Sequence, residues 1–288
     1  MTSTKAIFLY LAYTLAAAAF FLYLLFPETA LKEYLNSRLA AIDPALALQT
    51  AKIRPTLPPG LKLSGVVISG NGTRLAHFDS ARISPDLIDL LKGNQRFRFQ
   101  TRLADGTING RGGSETAEPP ETLRVEADLS RIQLDRLDAV KALERFSLSG
   151  LLNGKIIHEG RPAMGLTSGA LTVSDLRIVL KEPFLGISDL LMDQTEAEFS
   201  VNDRNLRLKA LTFEGPLLQG QISGSIELRQ PLAQSRLNLS GNAKPRPELF
   251  TRLPDTLPRA LVNPRTLAAR GVAFRIRGSI ENPDFSMR

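Results

Sequence analysis

His77 and His158 are the only imidazoles in the chain, and there is no cysteine to join them. A zinc site needs three or four His, Cys or carboxylate ligands at compatible spacing. Neither histidine has another His or Cys near it, so no such set is assembled along the sequence. HFDS (77–80) places an imidazole, an acid and a hydroxyl within four residues. A nucleophilic serine also needs a turn that exposes it and a base aimed at it, and nothing around 77–80 frames either. His158 precedes Glu159-Gly160 at the end of a strand pattern and reads as a surface residue, while Asp86 and Asp89 read as helix-surface charges. Without cysteine, disulfides and thiol nucleophiles are excluded as well. Asn71-Gly72-Thr73 and Asn238-Leu239-Ser240 match a glycosylation pattern that arises often by chance. The expectation is a protein that is not an enzyme, with no catalytic residue, metal or cofactor.

Charge points no more strongly to a substrate. The chain carries 36 basic and 29 acidic residues, a net charge of +7, but the cations are not massed. In RFRFQTR (96–102), Arg96, Arg98 and Arg102 share one parity and Phe97 and Phe99 the other. A single-strand nucleic-acid platform would put stacking rings and cations on the same surface, so no nucleic-acid partner is expected.

The chemistry that remains is apolar. In LLQGQISGSIELRQP (217–231), Leu218, Gly220, Ile222, Gly224, Ile226 and Leu228 fall on one parity and polar residues on the other, the period of a strand with one dry face. SRLNLSGNAK (235–244) and VAFRIRGSIE (272–281) repeat it. The expected lining of an apolar surface is therefore Leu218, Ile222, Ile226, Leu228, Leu237, Leu239, Val272, Phe274 and Ile276. TLRVEADLS (122–130) and QTEAEFSVN (194–202) alternate likewise. Turn dipeptides at 71–72, 105–106, 109–110, 159–160 and 202–203 separate the runs. Together they predict a mainly β, elongated antiparallel meander with a few short helices.

A sandwich would bury the dry faces against a second sheet. A curved, trough-shaped sheet would leave them open along its length, and so large an apolar patch would demand a ligand. An acyl chain fits: bringing about sixteen carbons into water costs on the order of 12 kcal/mol at about 0.8 per CH₂. Sequence leaves both open, with strand length and scarce aromatics leaning towards the trough. Gly220, Gly224 and Gly278 lie on the dry parity, where they would let a sheet bend.

Among the helical patterns, SPDLIDLLKG (84–93) has Ser84 as expected N-cap, Pro85 in the first turn, a stripe of Leu87, Leu90 and Leu91, and Gly93 as stop. Residues 134–146 predict a second helix. Residues 110–121 read as a flexible loop, and 245–270, with five prolines, as an irregular excursion.

Ahead of the strands, residues 6–26 carry no charge and at about 1.5 Å per residue span roughly 31 Å, the thickness of a bilayer core. Cleavage at Ala16–Ala19 would leave a greasy stub, so a retained single membrane span is expected. Lys5 on one side and Lys32 and Arg38 on the other leave its orientation undecided. Residues 27–42 form an amphipathic pattern, either lying on the membrane or capping the sheet. The expected organisation is 1–5 as a short cytoplasmic N-terminus, 6–26 as the span, 27–49 as a connecting helix and 50–288 as the β domain.

FPETALKEYLNSRLA (26–40), RPTLPPGLKLSGVVIS (54–69), ARISPDLIDLLKG (81–93) and LSGLLNGKIIHEG (148–160) resemble protein N (GspN type) of bacterial type II secretion. FRIRGSIENPDFSM (274–287) is similar to the tail of AsmA-like periplasmic proteins. The resemblance implies a Gram-negative inner-membrane protein with its bulk in the periplasm and an AsmA-like β groove. Its implied role is an accessory or scaffold of protein secretion touching the secretin or the inner-membrane platform. Its implied alternative is phospholipid binding for lipid transport or outer-membrane homeostasis. It brings no catalytic residues.

Overall fold

In the computed structural model, residues 3–42, 44, 46–70, 73–114, 122–161, 164–184, 186–252 and 271–287 are described. Two helices come first, α1 (Ser3–Leu24) and α2 (Glu28–Ile42). They are followed by β1 (Leu46–Thr56), β2 (Gly60–Gly70), β3 (Thr73–Pro85), α3 (Leu87–Leu91), β4 (Gln95–Leu103), β5 (Gly106–Ser114) and β6 (Leu123–Gln133). A short 3₁₀ turn (134–136) and α4 (Asp138–Lys141) lead to β7 (Phe146–Gly160), β8 (Leu166–Phe184), β9 (Ile187–Asn202), β10 (Asn205–Glu214) and β11 (Leu218–Glu227). β12 (Arg236–Pro245), α5 (Pro247–Arg252), β13 (Val272–Ser279) and β14 (Pro283–Met287) complete the order.

All fourteen strands form one antiparallel sheet in sequence order, and β1 and β14 do not pair with each other, so the sheet is open. Thirteen spacings of about 4.8 Å make it about 62 Å long across the strands. Among the described residues no second sheet lies on it. Strands pack on their sequence neighbours, α2 lies against β1, and α4 touches β3 and β7. The chain exposes 18880 Å², against about 12,000 Å² for a compact monomer of this mass. A sandwich is thereby excluded, and the trough geometry holds.

The sheet is strongly coiled. The Gln230 side chain, in the turn after β11, sits 3.0 Å from where a Cβ would stand at Gly70, the last residue of β2. Nine strand spacings in a flat sheet would keep them about 43 Å apart.

Local departures from simple alternation make the coil possible. In β2, Leu63 and Val66 share a face although two residues separate them. The same one-residue slip occurs between Leu129 and Ile132 in β6, and between Leu208 and Leu211 in β10. The slips in β6 and β10 coincide with register shifts, whereas in β2 both neighbours keep register through Gly65; Gly65 (φ 58°) and Arg131 (φ 55°) sit in the left-handed region. A bulge accommodates an extra residue and increases local twist, so the apolar face stays continuous through the slips.

Several expectations are corrected. Asn109 and Gly110 lie inside β5, paired with Gln100 and Phe99, rather than in a turn. Gly110–Ser114 are strand rather than flexible loop; the rest of that loop, 115–121, lies outside the described residues. The helix expected at 84–93 starts later. Ser84 and Pro85 end β3, and Asp86 is the cap, its carboxylate accepting from the Ile88 N–H. The helix expected over 134–146 is only α4 and the preceding 3₁₀ turn. The β domain begins at Leu46, because the alternating residues 46–50 pair with β2. The turn at 71–72 and most of the excursion, 253–270, fall outside the described residues.

α2 caps the sheet. It runs antiparallel to β1, and one stripe of it serves the strand's outer edge. Glu28 Oε1 accepts from Ile53 N (3.2 Å), Lys32 Nζ donates to Ala51 O (3.3 Å), and Asn36 Oδ1 accepts from Leu48 N (2.9 Å). Unpaired edge groups would otherwise recruit another strand. Phe26, Leu31 and Leu35 pack on Ile53, Leu63 and Val66. α1 covers most of the expected span, yet among the described residues no helix is long and apolar enough to cross a membrane. The side chains of Leu11, Leu15 and Leu22, among others in α1, lie outside the described set.

Candidate functional site: the apolar face

Opposed residues in an antiparallel sheet share a face, so register shows what the face is made of. One line of partners crosses every strand from β1 to β14: Pro55, Leu61, Ile83, Phe99, Gly110, Ala127, Ile156, Gly169, Phe199, Leu208, Gly224, Leu239, Ile276 and Phe285. It contains no polar side chain. The adjacent line runs Ile53, Leu63, Ala81, Thr101, Ile108, Leu129, Gly154, Leu171, Ala197, Leu211, Ile222, Gly241, Phe274 and Met287. Only Thr101 is polar there, and it is buried.

Two flanking lines are nearly as dry. One joins Phe97, Gly112, Val125, His158, Thr167, Val201, Leu206, Ile226, Leu237 and Gly278. The other joins Ile132, Leu152, Val173, Thr195, Phe213, Gly220, Ala243 and Val272. Four lines two residues apart cover about 20 Å along the strands. Most of these side chains are half-buried, as on the concave side of a coiled sheet. Among the described residues the helical cover of the face is at its β1–β2 end, where Phe26, Leu31 and Leu35 pack on Ile53 and Leu63.

Of the nine expected lining residues, Ile222, Ile226, Leu237, Leu239, Phe274 and Ile276 pack in one cluster with Phe199, Leu206, Leu208 and Leu211. Val272 sits on the same face opposite Ala243, and Leu218 opens β11 opposite Pro245. Leu228 falls beyond the strand: β11 ends at Glu227, and the Leu228 N–H donates to Arg204 O in the turn region. His158, expected at the surface, is half-buried on the apolar face. Its Nδ1 lies 3.0 Å from Thr167 Oγ1 and its Nε2 3.3 Å from Arg161 O. The two polar residues of that line therefore satisfy each other. His77 is exposed.

A recurring pair escaped the sequence reading. Phe97 faces Gly112, Phe99 faces Gly110, Phe199 faces Gly169, Phe213 faces Gly220 and Phe274 faces Gly241. In each, the ring lies over its glycine, occupying the space a Cβ would need; at Gly112 and Gly169 the Cζ stands 2.6 Å from that position. Flattened rings give the trough a smooth floor. The sequence signal was present in RFRF (96–99) followed by the glycine-rich GTINGRGG (106–113), but only the register joins them.

The convex face is charged. Glu126 accepts from Arg111 (2.9 Å) and Arg124 (3.1 Å), with Lys155 Nζ at 3.5 Å. The hydrogen bonds from Arg111 and then Arg124 hold its carboxyl far below the usual 4.5, at about 2. Arg98 and Arg102 also point outward, as expected. Among the described residues no group of three His, Cys or acidic side chains could hold a metal. A hollow of about 530 Å³ lined by Asp203, Arg204, Glu227 and Arg236 is polar and lies at strand ends, off the central apolar lines.

No family model, curated protein or solved structure matches the chain.

Proposed function

We propose that this protein is a bilayer-tethered carrier of acyl-chain lipids, which lie in the concave face of its sheet. The observation that carries the reading is the line of partners from Pro55 to Phe285, which crosses fourteen strands with no polar side chain. A face so continuous far exceeds the patch that monomers ordinarily leave in water. Its four lines span about 20 Å along the strands, and the hydrocarbon of one leaflet is about 15 Å deep. Acyl chains laid parallel to the strands would be covered, with head groups at the rim and successive lipids queued across the sheet.

The proposed tether is α1: its described residues alone do not make a span, but the full run 6–26 is uncharged, the helix of 22 residues measures about 33 Å, and Phe8, Leu9, Phe20 and Phe21 turn outward. A Gram-negative inner membrane and a periplasmic domain follow only from the sequence resemblance. So does the scaffold role in type II secretion, and no feature of the geometry favours contact with a secretin or platform over lipid. The lipid reading therefore takes precedence.

Transfer of fluorescent phospholipid between donor and acceptor vesicles, with the full chain reconstituted in the donors, tests it. Ile83 is 38% exposed, so Ile83→Asp spares the fold while placing a charge in the line. A desolvated carboxylate in the path should slow transfer at least about tenfold. No transfer by the wild type, or equal transfer by the folded variant, would contradict the reading.

A further inference from the structure

Strand direction sorts the loops into two ends. The β1–β2 turn, the β3–β4 connection and the β7–β8 turn share one; the β4–β5 turn and α4 occupy the other. At the first end, apolar side chains stand in water. Leu57 in the β1–β2 turn is 83% exposed, and the stripe of α3 is not buried: Leu91 is 91% exposed and Leu87 and Leu90 are exposed as well, as is Ile88 between them, at 67%. An amphipathic helix normally turns such a stripe onto a core, and α3 buries no residue.

The two pieces are contiguous. Arg82 of β3 donates to Leu57 O (3.2 Å), and a Cβ at Gly60 would stand 3.1 Å from Ser84 Cβ, two residues before the α3 cap. α1 joins at the same end. Phe26 packs on the Ile53 cluster and Glu28 binds the Ile53 N–H, three residues before β1 ends at Thr56, or about 10 Å. The patch is also cationic: residues 82–98 hold four basic and two acidic side chains. Both acids are engaged, Asp86 with Arg98 (2.7 Å) and Asp89 with Arg96 (3.6 Å), which leaves Lys92 beside Leu91 as surplus positive charge.

We infer that the Leu57 turn and α3 form a second membrane contact, dipping Leu57, Ile88 and Leu91 into the interfacial layer of an anionic bilayer beside α1. Apolar side chains flanked by cations are the composition that lies in such an interface. The contact fixes the coiled sheet at two places, so the β1–β4 end of the trough opens onto lipid rather than swinging on the α1–α2 junction.

This rests on α1 being in the bilayer, and the test separates the two claims. The chain has no cysteine, so single cysteines can be introduced at Leu57, Ile88 and Leu91, at Tyr13 within α1, and at Lys141 in α4 at the opposite end. Each is labelled with an environment-sensitive dye, and the full chain is reconstituted in phosphatidylcholine–phosphatidylglycerol vesicles containing brominated acyl chains. Dyes at 57, 88 and 91 should shift to the blue and lose most of their intensity to the bromine, whereas the dye at 141 keeps water-like emission. Quenching at 13 with none at 57, 88 or 91 overturns the second contact and leaves the anchor standing; no quenching at 13 overturns the anchor. Cysteine cross-linking between copies at Leu91→Cys without lipid quenching overturns it in favour of a second copy.

Discussion

Gly112 and Phe97 offer a stringent check on the floor of the trough. The three atoms nearest a Cβ at Gly112 all belong to the Phe97 ring, the closest, Cζ, at 2.6 Å. Carbon atoms prefer about 3.5–4.0 Å, so Gly112→Ala must drive the ring off its position by about 1 Å. An off-rotamer ring costs about 0.5–1.5 kcal/mol, and lost contact with Phe99, whose centroid is 6.4 Å away, adds to this. Against it, alanine removes the strand penalty of glycine, about 0.5–1 kcal/mol. In the wild type the two roughly cancel or come out unfavourable. In a Phe97→Ala background the clash is gone and only the gain remains. Gly112→Ala should therefore stabilise the Phe97→Ala protein while being neutral or harmful alone, with a coupling of about 1–2 kcal/mol in a double-mutant cycle. Guanidinium denaturation of the four proteins, followed by far-ultraviolet circular dichroism, measures it. Equal effects of Gly112→Ala in both backgrounds would mean the ring does not cover the glycine.

Other consequences are simpler to test. Glu126 titrates at about 2 in the fold and at 4.5 when unperturbed, so its ion pairs stabilise fully above pH 4.5 and are lost as pH falls towards 2. Glu126→Gln should be less stable at pH 7, and the difference from wild type should close between pH 4.5 and 2 in an acid-unfolding series. Removing the Asn36 acceptor from Leu48 N with Asn36→Leu should cost about 1 kcal/mol and expose the β1 edge, raising self-association in sedimentation velocity. Arg131 holds φ 55°, a conformation that costs a side-chain-bearing residue about 1 kcal/mol; Arg131→Gly should raise the midpoint of guanidinium unfolding, and a lowered midpoint would mean that the bulge depends on the Arg side chain.

Much of the β architecture was legible because period-two alternation is a local property. The runs at 122–130, 194–202 and 235–244 all fall in strands, and Arg98 and Phe99 take opposite faces as their parity demands. What alternation hides is register. Nothing in the sequence places Gly169 beneath Phe199, since the pairing depends on where two strands meet. The slips at Gly65, Arg131 and Lys209 break parity and look like strand ends, yet the left-handed backbone of Gly65 and the bulges at Arg131 and Lys209 carry the face through them. Asn109-Gly110 has turn composition, but pairing on both sides with Phe99 and Ala127 outweighs that local preference. Ser84 looked like a cap because the helix stripe is real; the sheet claims Ser84 and Pro85 first, and Asp86 takes the cap. His158 was misplaced because a strand end suggests exposure, whereas the neighbouring line supplies Thr167 as its partner. The leucines of α3 suggest a stripe turned onto a core, but the helix buries none of them, and that lack of a core to meet becomes visible only with the fold.

The most direct measurement is photo-crosslinking to lipid along the sheet. A benzophenone amino acid is placed in turn at Ile83, Ile156 and Phe285 on the central line, and at Asp128, Ser200 and Asp284 on the convex face. The full chain is irradiated in membranes containing radiolabelled phospholipid. The account predicts lipid adducts at all three positions of the line and none on the convex face. Adducts distributed equally between the faces, or absent from Ile156 at the centre of the trough, would contradict it.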